Sequence, residues 1–81
     1  MTNDQVQSFL LKKQKLPLQV HISFRKRDAF NGLFIQLIDF EFLKRKNLWR
    51  IVGEANLEAY AKTKDESLAR IFNGIEFTRL V

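Results

Sequence analysis

With 81 residues and a formal net charge of +5, the chain has room for one domain, near the lower size limit for a self-sufficient core. It has no cysteine and a single histidine, His21, which excludes disulfides and thiolate metal sites and leaves no His-built zinc site without carboxylate help. Stability must come from packing: 46% of the residues are hydrophobic, with eight Phe at 9, 24, 30, 34, 40, 42, 72 and 77.

No apolar run approaches the roughly 20 residues of a membrane helix. The opening "MTNDQVQSFLLKK" sets an acid before a short apolar patch and lacks a cationic leader, so it does not read as a signal peptide. A soluble, cytoplasmic protein with no membrane partner is expected. Charge is uneven along the chain. Residues 1–50 carry ten Lys/Arg against four acids, and residues 51–81 carry four against five. The basic first half suits an anionic partner, and it also suits solubility alone.

"TNDQVQSFLLKK" predicts a helix, capped by Thr2 with Gln5 or by Asn3, with Val6, Phe9 and Leu10 on one face. Pro17 ends that stretch. "LPLQVHISFR" then alternates: Leu16, Leu18, Val20, Ile22 and Phe24 share one face of a strand, and Gln19, His21, Ser23 and Arg25 the other. "RKRDAFNG" reads as a loop closed by an Asn31-Gly32 turn.

In "FNGLFIQLIDFEFL" the apolar residues change sides, from Leu33, Ile35 and Leu37 to Ile38, Phe40 and Phe42. A single strand accommodates that only with a bulge or bend near Leu37–Ile38, or with both faces buried, one of them against a partner subunit. "KRKN" follows as a turn and "LWRIV" as a strand ending at Gly53. Asn56 caps a weak helical turn through Leu57, Tyr60 and Ala61. "TKDESLARIFNG" predicts a helix boxed by Thr63 and Glu66, with "LARIF" as a strand the alternative, and "IEFTRLV" is the last strand. The expected fold is α+β: a small, strongly bent antiparallel β-barrel of SH3/Sm-like type, with an N-terminal helix and a helical insertion before the last strand.

Nothing here assembles a catalytic site or a cofactor site. Asp39 and Glu41 would share a strand face, but with Phe40 and Phe42 between and beyond them they fit the solvent side of an alternating strand. His21 lies on the polar face with no nucleophile motif beside it. Gly32, Gly53 and Gly74 are too widely spaced for a phosphate-binding loop. No enzyme, metal or cofactor is expected.

The cations carry more information. Arg25, Lys26 and Arg27 follow the first strand, and Lys44, Arg45 and Lys46 follow the second. With Lys12, Lys13, Lys15 and Arg50 they can form a track for the phosphates of RNA or single-stranded nucleic acid. Trp49 and Phe30 stand beside these clusters, placed to stack on bases. Solvated loop tips and a core tryptophan would leave the same pattern. A straight second strand would hold the two clusters about 30 Å apart, whereas a bent one brings them together.

The helix followed by Leu16-Pro17-Leu18 and "QVHISF" resembles the start of the Sm-like family of host-factor RNA chaperones, where a Val-Pro-Val-type step leads into the first strand of a bent five-stranded barrel. The resemblance covers less than a third of the chain. It implies ring-forming homo-oligomers that bind RNA on the helix-bearing face and pore. The longer "RKRDAFNG" replaces that family's Asn-Gly turn and its Lys-His step is absent, so no pore residue carries over. The C-terminal half resembles segments of small bacterial proteins, which implies no function. Two functions therefore stand side by side: nucleic-acid binding through basic loops, or a protein-interaction module or homo-oligomeric adaptor that exposes apolar surface.

Overall fold

A computed structural model describes residues 1–81. Helix α1 (Asn3–Lys13) begins at a complete capping box, with the Thr2 hydroxyl accepting from the Gln5 N–H and the Gln5 side chain accepting from the Thr2 N–H. It ends at Gln14 in a left-handed conformation. Val6 and Leu10 are buried and Phe9 packs beside them, which is the apolar face expected from their spacing.

Five strands follow: β1 (Leu18–Phe24), β2 (Phe30–Phe34), β3 (Leu48–Val52), β4 (Ala69–Asn73) and β5 (Phe77–Leu80). They form one antiparallel sheet in the order β4-β3-β2-β1-β5. Helix α2 (Phe40–Arg45) lies between β2 and β3, and α3 (Leu57–Thr63) between β3 and β4. The strand pairing does not close into a barrel; β4 and β5 are its two edges. The sheet is strongly curled all the same. Phe24 on β1 and Phe72 on β4 sit three strands apart, about 14 Å in a flat sheet, yet their ring centroids are 6.0 Å from each other.

The curl wraps a core of Val20, Ile22, Phe34, Trp49, Ile51, Phe77 and Leu80, covered by Val6 and Leu10 of α1. Trp49, Phe34 and Phe77 are nearly or fully inaccessible to solvent, with the Phe34 ring edge-on to both of the others. No helix is long and apolar enough to cross a membrane.

Three expectations are corrected. Residues 33–43 are not one bent strand. β2 ends at Phe34 and the chain turns into α2, so the change of sides is a change of period from two to 3.6. Phe34 faces the core from the strand; Phe40 and Leu43, three apart, face it from the helix. A register shift does occur, but between β1 and β5: Ser23 opposes Arg79 and Phe24 opposes Phe77, which leaves Thr78 as the extra residue. That is why Phe77 and Leu80, three apart, both point inward.

Asn31-Gly32 is not a turn, since it lies inside β2. Gly32 is required there by close packing: a Cβ would stand 2.6 Å from Ile51 Cγ2 and 3.1 Å from Ile22 Cδ1. Residues 64–73 are not a helix. Asp65 caps a short 3-10 turn through Ser67, and β4 then pairs with β3, setting Phe72 opposite Trp49. Phe72 packs half-buried against the core from β4 while Ile71 stays exposed on the other face, and that cross-strand packing overrides the helical pattern of Leu68, Ile71 and Phe72.

Candidate nucleic-acid interface

Two of the predicted basic clusters meet. Arg25, at the start of the β1–β2 loop, and Arg45 and Lys46, at the end of α2, line one open groove of about 720 Å³. The meeting does not come from a bent strand. The turn through 35–39 and the two turns of α2 carry the chain back toward the first loop. Met1, Thr2, Asn3 and Gln5 form one wall, and Ile75, Phe77 and Thr78 another, with Asn47 completing the lining. No carboxylate lines it. The molecule's three ion pairs, Lys44–Glu41, Arg50–Asp39 and Lys62–Glu58, involve none of the groove cations.

The cations are positioned in two ways, Arg25 by the facing 74–76 segment and Arg45 and Lys46 by the end of α2. The Arg25 N–H donates to the Glu76 carbonyl at 3.0 Å and its Nε to the Ile75 carbonyl at 3.0 Å, leaving the guanidinium tip free. Arg45 and Lys46 sit where the α2 helix ends, and Asn47 follows with φ 60°. Asn47 is the joint of the site. Its Nδ2 donates to the Met1 carbonyl at 2.9 Å, its Oδ1 accepts from Trp49 Nε1 at 2.8 Å, and its carbonyl accepts from the Gly74 N–H at 2.8 Å. A Cβ on Gly74 would run into the Asn47 amide, so this crossing admits only glycine.

The Met1 α-amino group lies on the same groove and donates to the carbonyls of Gly74 (2.9 Å) and Phe77 (2.8 Å). Burial, and then the neighbouring Arg25, holds its pKa below the ordinary α-amino value. The α1 N-terminus opens on the same groove, so its dipole adds to the positive field. Asp4, in the first turn, lines a separate surface beside Phe9 and Lys12.

The other predicted residues are distributed elsewhere. Lys12 lies near Phe9, and Lys13 stands over the Phe9 ring at 5.6 Å. Lys15 and Lys44 border a cleft between α1 and α2 lined by Leu10, Leu11, Leu16 and Phe40. Lys26 is exposed. Arg27 lies over both Phe24 and Phe72, 5.5 Å from each ring centroid. Arg50 grips Asp39 with two hydrogen bonds, at 2.6 and 3.2 Å. Those bonds hold the Asp39 carboxyl below the usual carboxylate range against the opposing effect of desolvation, and they raise the Arg50 pKa in turn. Trp49 is buried at 1% exposure and has no free face for a base. Phe30 is half-buried and lines a third cleft with Arg27, Arg70 and Phe72.

Asp39 and Glu41 do not form a carboxylate pair but serve different cations, Asp39 with Arg50 and Glu41 with Lys44 at 2.8 Å. His21 is exposed and its Nδ1 bonds the Asn31 side chain at 2.9 Å. No three His, Asp or Glu side chains gather into a metal-ligand set. Sequence reasoning missed Asn47, Thr78, Arg70 and Phe72. A strand reading of 69–73 places Arg70 and Phe72 on the face of Ile51 and Trp49, and that signal was present in "LARIF".

No protein-family model, curated protein or solved structure matches the chain.

Proposed function

We propose that the protein binds the phosphate backbone of RNA or single-stranded nucleic acid along the groove between Arg25 and Arg45–Lys46. One observation carries the reading: three cations from two distant loops converge with no carboxylate among them. Cations without acid partners are the ones that release counterions when a polyanion binds. The polar lining from Thr2, Asn3, Asn47 and Thr78 supplies donors for phosphate and sugar oxygens. The curled sheet, with its last strand returned beside the first, supports the finer architectural reading as an SH3/Sm-like small barrel.

The test is titration of a labelled single-stranded oligonucleotide across a salt series. Three phosphate contacts give a slope of log K against log salt of about −2. The triple variant Arg25→Gln, Arg45→Gln, Lys46→Gln should flatten that slope, and binding that ignores salt ends the reading.

A second reading, a protein-interaction module or homo-oligomer, draws on exposed apolar residues. Ile38 is fully exposed, Phe42 60% and Leu11 66%. Such residues commonly mark an interface. Sedimentation at tens of micromolar separates the readings: association that Ile38→Asp with Phe42→Asp abolishes supports this one, and a monomer contradicts it.

A further inference from the structure

The cleft lined by Arg27, Phe30, Gly53, Glu54, Arg70 and Phe72 opens beside the basic groove and differs from it in character. Its volume is about 360 Å³ and half of its lining is apolar. Two aromatic rings form the floor, Phe30 and Phe72 at 5.8 Å, continued by Phe24 at 4.9 Å from Phe30. All three are half-buried, so they keep some open surface. The Arg27 guanidinium lies over Phe24 and Phe72, presenting a planar cation at the rim, and Arg70 lines the same cleft. Neither arginine is engaged in an ion pair. The one acid present, Glu54, already accepts the Asn31 N–H at 2.7 Å. Gly53 leaves its stretch of wall open, with nothing within 4 Å of where a Cβ would stand.

We propose that this cleft receives an unpaired nucleobase of the same strand whose phosphates occupy the basic groove, a proposal that rests on the function argued above. The two sites are linked by covalent geometry. Arg25 lines the groove and Arg27 the cleft, and two residues of chain span at most about 7 Å. A strand leaving Arg25 therefore meets Arg27 next. The chemistry of the cleft fits a base: an apolar floor in which the Phe30 and Phe72 rings stand edge to face at 60°, so that one ring face is offered for stacking, with Arg27 and Arg70 in the lining to balance a flanking phosphate. An ordinary apolar ligand would need neither arginine. Duplex DNA or RNA, whose bases are already stacked and paired, cannot supply the occupant.

The experiment compares three probes of equal length by fluorescence anisotropy: a dT oligonucleotide, an abasic strand with the same phosphates, and a duplex. The dT strand should bind at least about fivefold more tightly than the abasic strand, the lower end of one stacked base, and more tightly than the duplex. Phe72→Leu, which keeps apolar volume but removes the ring, should reduce that preference and leave abasic binding unchanged, whereas Arg27→Gln, an exposed position, should weaken the dT and abasic strands alike through its phosphate contact. The buried Trp49 emission verifies that each variant is folded. Equal binding of dT and abasic strands with a normal salt slope overturns the base site and leaves the groove standing. A duplex bound as well as the dT strand also overturns it. Failure of every probe to bind with salt dependence overturns both.

Discussion

On the α2–β3 side of the molecule Arg50 grips Asp39 and Lys44 reaches Glu41; at the groove end Arg25, Arg45 and Lys46 share a wall with no carboxylate between them. All five cations come from the same basic first half of the chain, so its net charge alone does not separate them. What separates them is where α2 points. Its first turn, with Asp39 just before it, turns its acids toward Lys44 and Arg50, and its last turn delivers Arg45 and Lys46 to a surface that has none. Charge that is matched steadies the fold, and charge that is unmatched is available to a ligand.

The sharpest way to break the comparison is to remove the joint that holds the groove end. Asn47→Ala deletes the bonds to Met1 and Trp49, leaves the indole N–H without its partner, and places a non-glycine residue without Asn's tolerance at φ 60°. A stability loss of about 2–4 kcal/mol is expected by denaturant titration. Asn47→Gly, which relieves the backbone but restores neither bond, should lose less. If both variants are as stable as the parent, Asn47 is not the joint.

The second effect is smaller and acts on the matched side. Arg50→Gln should lower the melting temperature and leave oligonucleotide binding unchanged. It should also alter the acid limb of the stability curve. Asp39 has its pKa depressed by Arg50, so the pair stabilises the fold above the unfolded carboxyl value of about 4 and loses that contribution as pH falls through the lower folded value. Asp65, depressed by its bonds to Ser67, titrates in the same sense and is untouched by the variant. Arg50→Gln should therefore flatten the pH dependence below about pH 4 without abolishing it. An unchanged acid limb would mean the pair contributes nothing there.

How much of this was written in the sequence varies with the element. Helix α1 was legible because Thr2 and Gln5 cap it locally, and β1 because five apolar residues alternate without a break. The segments 33–43 and 64–73 were not, because short apolar runs suit strand and helix alike. What decides them is distant: Phe40 packs on Trp49 at 6.1 Å, and Phe72 meets Phe24 across the curl. The groove was legible as residues but not as a place. Arg25, Arg45 and Lys46 could be named from charge, yet telling them from Lys44 and Arg50 required knowing that residues 39–41 cap and begin a helix. Trp49 was misjudged as a stacking residue because adjacency to cations in sequence says nothing about which side of a strand it occupies.

The smallest expected effect bears most directly on the comparison. Lys44 lies next to Arg45 in the chain and would count equally in any argument from charge clusters. In the fold it pairs with Glu41 at 2.8 Å and its ammonium lies 5.7 Å from the Phe40 ring centroid, on the α1–α2 side. Lys44→Gln should cost about 0.3 kcal/mol of stability, the scale of a helical surface pair, and leave the salt slope of oligonucleotide binding where it was. Arg45→Gln should do the reverse, holding stability constant while lowering the slope by about 0.7, the share of one phosphate on a single strand. Neighbouring residues on one helix would then report on two separate surfaces. Equal slopes for the two variants would show that the basic character of the loop, rather than the unmatched groove, governs binding.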